Sequence, residues 1–238
     1  MNQRTAVFYF FLLAGTFFVI LPVHAAENVN GSPLTILALG DSITAGAPQF
    51  KSPAEAPPRG RGNPKSQYVY WLNLKHPEWK IYNRGISGQA TLAILNRTEA
   101  ELRDTRPDLV ILMAGVNDIY RNAAMPQTIK NLTAMIKIIR AQGIPVMLLS
   151  VLPYRGITPV QQKNLGDLNR WIEDYALRNG LGFCDTFAAM HAPGDAAQLV
   201  STPDGLHPDA AGYRLMGETV AAALEAWPGL PKQERVNG

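Results

Sequence analysis

Short apolar runs alternate along the chain with longer segments whose apolar residues recur at helical spacing. The runs at 34–39, 80–82, 109–113, 146–150 and 181–183 predict strands, and the segments at 66–75, 91–104, 126–142, 159–179 and 209–226 predict helices. Strands and helices in alternation form a parallel sheet with helices on both faces, an α/β layer architecture. The run Asp108-Leu-Val-Ile-Leu-Met-Ala is apolar at every position after the first. A strand with one face in water would alternate, so this run predicts a central strand covered on both sides. Gly143 and Gly180 stand where two of the helices are expected to end. No internal repeat interrupts the pattern.

Two segments depart from it. Residues 47–65 contain Pro48, Pro53, Pro57, Pro58 and Pro64 together with Gly60 and Gly62, so a loop insertion is expected there. Loops of this length serve as lids or binding loops, or are mobile solvated insertions, and both readings stand. Lys51, Arg59, Arg61 and Lys65 of this loop could meet an anionic substrate or simply be solvated. The other departure is residues 1–25, where Arg4 precedes an apolar stretch at 6–21 and Val-His-Ala at 23–25 supplies small residues. That is the layout of a secretory signal peptide cleaved after Ala25, which implies a periplasmic or secreted protein with no stable membrane span once the leader is removed. The competing reading is an uncleaved membrane anchor, because the stretch approaches the length that spans a bilayer.

With 238 residues and 47% apolar composition, the chain can bury a full core, and one domain over 26–238 is expected. Its 22 basic residues stand against 19 acidic ones. Loss of Arg4 with the leader brings the balance closer, so no nucleic-acid footprint is present. Cys184 is the only cysteine and lies in an apolar run, which leaves no intramolecular disulfide and predicts a small buried hydrophobe with no chemistry.

In open parallel sheets the carboxyl ends of the strands face the ligand, so the residues just after each strand carry the candidate chemistry. Gly40-Asp41-Ser42-Ile43 follows the first strand. Ser42 there is either a nucleophile projected into the crevice or an ordinary helix cap. Asn83-Arg84-Gly85-Ile86-Ser87-Gly88 follows the second and lacks the glycine spacing of a dinucleotide loop. Gly88 could instead point its N–H into the crevice. Gly115-Val116-Asn117-Asp118 follows the third, placing the Asn117 amide at the same rim or closing its own turn. Asp204-Gly205-Leu206-His207-Pro208 precedes the last helix, and Pro208 keeps His207 out of helical geometry. A loop there can fold the Asp204 carboxylate onto one imidazole nitrogen and leave the other free to accept a proton. The four histidines, His24, His76, His191 and His207, form no cluster with metal-ligand spacing, so no metal site is expected.

Taken together, Gly-Asp-Ser at 40–42, Asn-x-Gly-x-x-Gly at 83–88, Gly-x-Asn-Asp at 115–118 and Asp-x-x-His-Pro at 204–208 resemble the four blocks of the GDSL or SGNH hydrolase family. Ile43 stands where that family commonly has leucine. The resemblance implies a flavodoxin-like three-layer sandwich and a serine esterase that needs no cofactor, which the leader read at 1–25 would export. It implies Ser42 as nucleophile, His207 as base, Asp204 as its orienting partner, and an oxyanion hole of Ser42, Gly88 and Asn117. Length and block spacing are most similar to the bacterial lysophospholipase, acyl thioesterase and arylesterase branch, so esters of short or medium acyl chains are expected, lysophospholipids among them. A carbohydrate O-acetylesterase acting on O-acetylated sugars is the alternative. From their place just past the fourth strand, residues 151–154 are expected to line the acyl side in either case. A reading of a different class is a catalytically silent envelope protein that binds glycans or a partner through the same cleft.

Overall fold

The computed structural model describes residues 33–52, 54, 55 and 60–232. The leader expected at 1–25, with Arg4 and the expected cleavage after Ala25, lies outside the described residues, as do Pro53, Pro57, Pro58 and Arg59 of the loop insertion.

Five parallel strands form the sheet: β1 (Thr35–Gly40), β2 (Lys80–Gly85), β3 (Leu109–Met113), β4 (Val146–Leu149) and β5 (Gly182–Cys184), in the order β2-β1-β3-β4-β5. The fold is the α/β sandwich that the alternating pattern predicts, with the strand order of flavodoxin-like sheets. All five residues of β3 are buried, as a strand covered on both faces requires. β2 lies at one edge of the sheet and is longer than predicted. Its polar tail Asn83-Arg84-Gly85 pairs with Ala38-Leu39-Gly40 because an edge strand can carry polar residues and still be bonded along one side.

Helices α2 (Tyr68–Lys75) and α8 (Ala210–Ala226) pack against each other, as do α3 (Thr91–Thr105) and α5 (Met125–Arg140), with α6 (Pro159–Arg178) beside α5. Right-handed crossovers put α3, α5 and α6 on one face of the sheet and α2 and α8 on the other. Helix α6 begins with a capping box: the Thr158 hydroxyl accepts from the Gln161 backbone N–H and the Gln161 side-chain Oε1 accepts from the Thr158 backbone N–H. Gly143 and Gly180 do lie just past helices, at φ 75° and 63°. Elements absent from the sequence prediction are the short helices α1 (Ser42–Ala45), α4 (Val116–Tyr120) and α7 (Thr186–Met190), and the hairpin of β6 (His191–Ala192) with β7 (Asp195–Leu199). Cys184 is buried and free. Among the described residues no helix is long and apolar enough to cross a membrane.

The start of the loop insertion is tied down. Phe50 is fully buried, the Tyr213 hydroxyl donates to the Ala47 carbonyl at 2.8 Å, and the Ser87 N–H donates to the Lys51 carbonyl at 2.7 Å.

Candidate active site

The strand ends decide where the site forms. Gly40 of β1 is level with Gly85 of β2 on one side and Met113 of β3 on the other. Ser42, Gly88 and Asn117 follow those three residues by two, three and four positions, so all three leave the sheet at one rim. This rim lies at the switch point where the strand order reverses, the place where open α/β sheets bind ligands.

Ser42 is the first residue of α1, whose N-cap is Asp41; the Asp41 carboxylate accepts from the Ile43 N–H at 3.0 Å. Helix α1 can sit against the sheet only because Gly85 has no side chain. A Cβ there would lie 2.0 Å from the Ala45 nitrogen. Asn83 completes the seat by donating to the Thr44 carbonyl at 2.7 Å and accepting from the Gly85 N–H at 2.9 Å. Burial pushes the Asp41 carboxyl up to about 7 against the pull of the Ile43 hydrogen bond, with the nearby Asp118 adding to the rise.

The last loop brings the other two predicted residues to Ser42. His207 Nε2 stands 3.0 Å from Ser42 Oγ, and His207 Nδ1 stands 2.7 Å from Asp204 Oδ2. The second Asp204 oxygen accepts from the backbone N–H groups of Leu206 at 2.9 Å and His207 at 2.8 Å, so the carboxylate cannot turn away from the ring without losing both. Burial opposes the charge on Asp204, but the hydrogen bonds from His207 and Leu206 outweigh it and hold the carboxyl down at about 2. The loop is closed on itself. Thr202 Oγ1 donates to the His207 carbonyl at 2.7 Å and accepts from Gly205, while Asp209 caps α8 and accepts from the Ser201 hydroxyl at 2.8 Å. The Arg155 N–H donates to the Gly205 carbonyl at 2.7 Å and ties this loop to the segment after β4.

Gly88 has φ 76°, a conformation that side chains rarely adopt. Its neighbours Ile86, Ser87 and Gln89 each donate their N–H to a backbone carbonyl, whereas among the described residues the Gly88 N–H has no such acceptor. One N–H of the Asn117 amide donates to the Gln89 carbonyl at 3.0 Å, which fixes the side chain and leaves its second N–H to point elsewhere. A hydroxyl, an imidazole and a carboxylate in line, beside a rim of N–H donors, can move a proton off the hydroxyl and hold a negative oxygen.

Other site residues were not foreseen. Asp118, buried beneath the rim, accepts from the Thr91 N–H at 2.9 Å and the Thr91 hydroxyl at 2.6 Å, which caps α3 and locks the turn that carries Asn117. Asn131 reaches the same hydroxyl at 3.0 Å. Tyr120, one helical turn past Asn117, is 60% exposed and meets Tyr154 edge to face. Residues 151–154, expected to line the acyl side, are buried, as Ser42 itself is, with both backbone groups of Val151 bonded to Asn169 and the Tyr154 ring packed against Tyr120. Among the described residues no group of three or more His, Cys, Asp or Glu side chains could hold a metal ion.

Comparison with known proteins bears on this geometry. Residues 38–215 match the model of the GDSL-like Lipase/Acylhydrolase family. The chain is 35% identical to Esterase TesA of Pseudomonas aeruginosa over 74 residues, 31% of this chain and 37% of that protein. It is 31% identical to an acetylxylan esterase of Geobacillus stearothermophilus over 105 residues, 40% of this chain and 45% of that protein. The chain thus spans less than half the length of either curated relative. A solved GDSL-like lipase from Bacteroides thetaiotaomicron superposes with a TM-score of 0.63 at 28% identity, covering 80% of this chain and 87% of that one.

Proposed function

The chain belongs to the GDSL-like lipase/acylhydrolase family, and from that premise we propose an exported serine esterase that cleaves carboxylic esters of short or medium acyl chains. The observation that carries the reading is the continuous relay from Ser42 Oγ through His207 to Asp204, at 3.0 and 2.7 Å.

In the proposed mechanism Ser42 Oγ attacks the ester carbonyl carbon while its proton passes to His207 Nε2. Asp204 holds the Nδ1 proton and stabilises the imidazolium that forms. The carbonyl oxygen becomes an oxyanion, met by the N–H groups of Ser42 and Gly88 and by the free N–H of the Asn117 amide. Collapse breaks the bond to the alcohol oxygen, which leaves with the proton from His207. Water, deprotonated by the same imidazole, then attacks the acyl carbon; the bond to Ser42 Oγ breaks, the proton returns from His207 to Oγ, and the acid leaves. The hydroxyl of a free serine is a weak nucleophile at neutral pH, so both the base and the donor rim are needed. The leader at 1–25 supports export to the periplasm or medium.

One observation favours a second substrate class. The exposed Tyr120 ring, braced by Tyr154 beside Asn117, offers a flat apolar face of the kind on which a sugar ring stacks, and one curated relative is an acetylxylan esterase. The test is hydrolysis of p-nitrophenyl esters from acetate to palmitate, with Ser42→Ala beside the native protein. A Ser42-dependent optimum at short or medium chains supports the first reading. Turnover confined to acetate and shared with acetylated sugars moves the assignment to carbohydrate O-deacetylation, and undiminished hydrolysis by Ser42→Ala removes both.

A further inference from the structure

The three donors of the proposed oxyanion hole come from three different strand ends, and a hole works only if its donors are held to within about half an ångström. Several side-chain bonds run between those turns, among them Arg121 to the Gly88 carbonyl at 2.7 Å and Asn83 to the Thr44 carbonyl at 2.7 Å. The side chain that reaches two of the turns at once is Arg97, in the middle of α3 and mostly buried. Its Nη2 donates to the Gly40 carbonyl at 2.8 Å, two residues before Ser42. Its Nε donates to Gln89 Oε1 at 2.8 Å, one residue after Gly88. The backbone carbonyl of that same Gln89 accepts from the Asn117 amide at 3.0 Å. Arg97 Nη1 is held in turn by Glu101 Oε1 at 3.0 Å, and the other oxygen of Glu101 lies 3.0 Å from Arg84 Nε on β2. The Gly40 carbonyl also accepts from the Ile86 N–H at 3.2 Å, so one oxygen joins the first turn to the second.

We infer that Arg97 is a positioning residue for this reaction: its guanidinium clamps the Ser42 turn to Gln89 and, through Gln89, sets the Asn117 amide. The inference rests on the proposed oxyanion hole. A planar guanidinium presents its donors in a fixed fork, so bonds to Gly40, Gln89 and Glu101 at once define a distance between turns. An ammonium on a flexible stem carries the charge but fixes no such distance. Negative charge develops on the substrate oxygen only after binding. Loosening the clamp should therefore lower kcat and leave KM nearly unchanged.

The experiment measures kcat and KM on p-nitrophenyl acetate for native protein, Arg97→Met, Arg97→Lys, Gln89→Leu, Asn117→Ala and the Arg97→Met/Asn117→Ala double variant, each shown by thermal unfolding to be folded at the assay temperature. A misplacement of about 1 Å costs on the order of 100-fold, so Arg97→Met is expected to lower kcat by about 10- to 100-fold with KM within about twofold. Arg97→Lys should recover little of this, and Gln89→Leu should show a smaller loss of the same kind. The decisive readout is the cycle: with the Asn117 amide already gone, Arg97→Met should cost several-fold less than it does in native protein. The same factor in both backgrounds, a loss that falls in KM, or native rates in both Arg97→Met and Gln89→Leu would overturn the inference. Should Arg97→Met fail to fold, Gln89→Leu with Asn117→Ala runs the same cycle at a half-exposed position. A native rate in Asn117→Ala would overturn the oxyanion hole and the inference with it, whereas a slow Asn117→Ala with an additive cycle overturns the inference alone.

Discussion

Replacing Asp204 by asparagine keeps the shape of the side chain and changes one atom that matters. In the native loop one carboxylate oxygen accepts from the N–H groups of Leu206 and His207, and the other faces His207 Nδ1 at 2.7 Å. In Asp204→Asn the amide oxygen must stay with the two backbone donors, which turns the NH₂ toward Nδ1. That NH₂ donates, so the ring proton is forced onto Nε2, where it points at Ser42 and cannot accept the serine proton. This tautomer change costs about 10⁴ in turnover in a serine protease with the same three groups. The escape is to flip the amide, which sacrifices both backbone hydrogen bonds. At about 1 to 2 kcal/mol each, the flip costs roughly 2–4 kcal/mol, a factor of about 30 to 1000. Loss of the negative charge beside the forming imidazolium adds about 1–2 kcal/mol for a side chain that is 40% exposed. The expected result is a fall in kcat of about 10²–10⁴ on p-nitrophenyl butyrate, with circular dichroism unchanged. A folded Asp204→Asn that keeps more than about a tenth of native kcat would refute the orienting role of Asp204.

Stability should also report on that loop. Because the folded Asp204 carboxyl is held at about 2 against its ordinary 3.8, its contribution is fully present above 3.8 and is lost as pH falls toward 2. The difference in unfolding midpoint between native protein and Asp204→Asn should therefore close with acid, and a difference that widens would contradict the assignment. Asp118→Ala removes the acceptor for the Thr91 N–H and hydroxyl. It should cost about 2–4 kcal/mol by urea unfolding, and a cost near zero would mean that the cap on α3 is dispensable. The Cys184 thiol is pushed up to about 12, by burial first and by the neighbouring Asp185 second. A thiol-specific reagent near about pH 8 should label it only after denaturation, and rapid native labelling would show the pocket around it to be open.

How much of this was legible in the sequence depends on how local each signal is. β3 was readable to the residue because burial on both faces leaves an unbroken apolar run. β2 was cut short because Asn83 and Arg84 look like a turn, and only its place at the sheet edge lets them extend the strand. Helices of four or five residues, such as α1 and α4, contain too little of a period to be seen, so the segments that carry Ser42 and Asn117 read as turns. Ser42, Gly88, Asn117, Asp204 and His207 could be picked out because strand ends and the final loop are where an open sheet gathers chemistry. Arg97, Gln89 and Asp118 could not. Arg97 meets Gly40 across 57 positions, Asn117 meets Gln89 across 28, and Asp118 meets Thr91 across 27, distances at which no spacing rule operates.

The central claim is that Ser42 is the nucleophile, and the most direct measurement is covalent labelling. Native protein treated with diisopropyl fluorophosphate should gain one adduct by intact mass, mapped to the peptide containing Ser42, with loss of ester turnover in step and no adduct in Ser42→Ala or His207→Ala. An adduct on another residue, or full turnover after Ser42 is modified, would contradict the account.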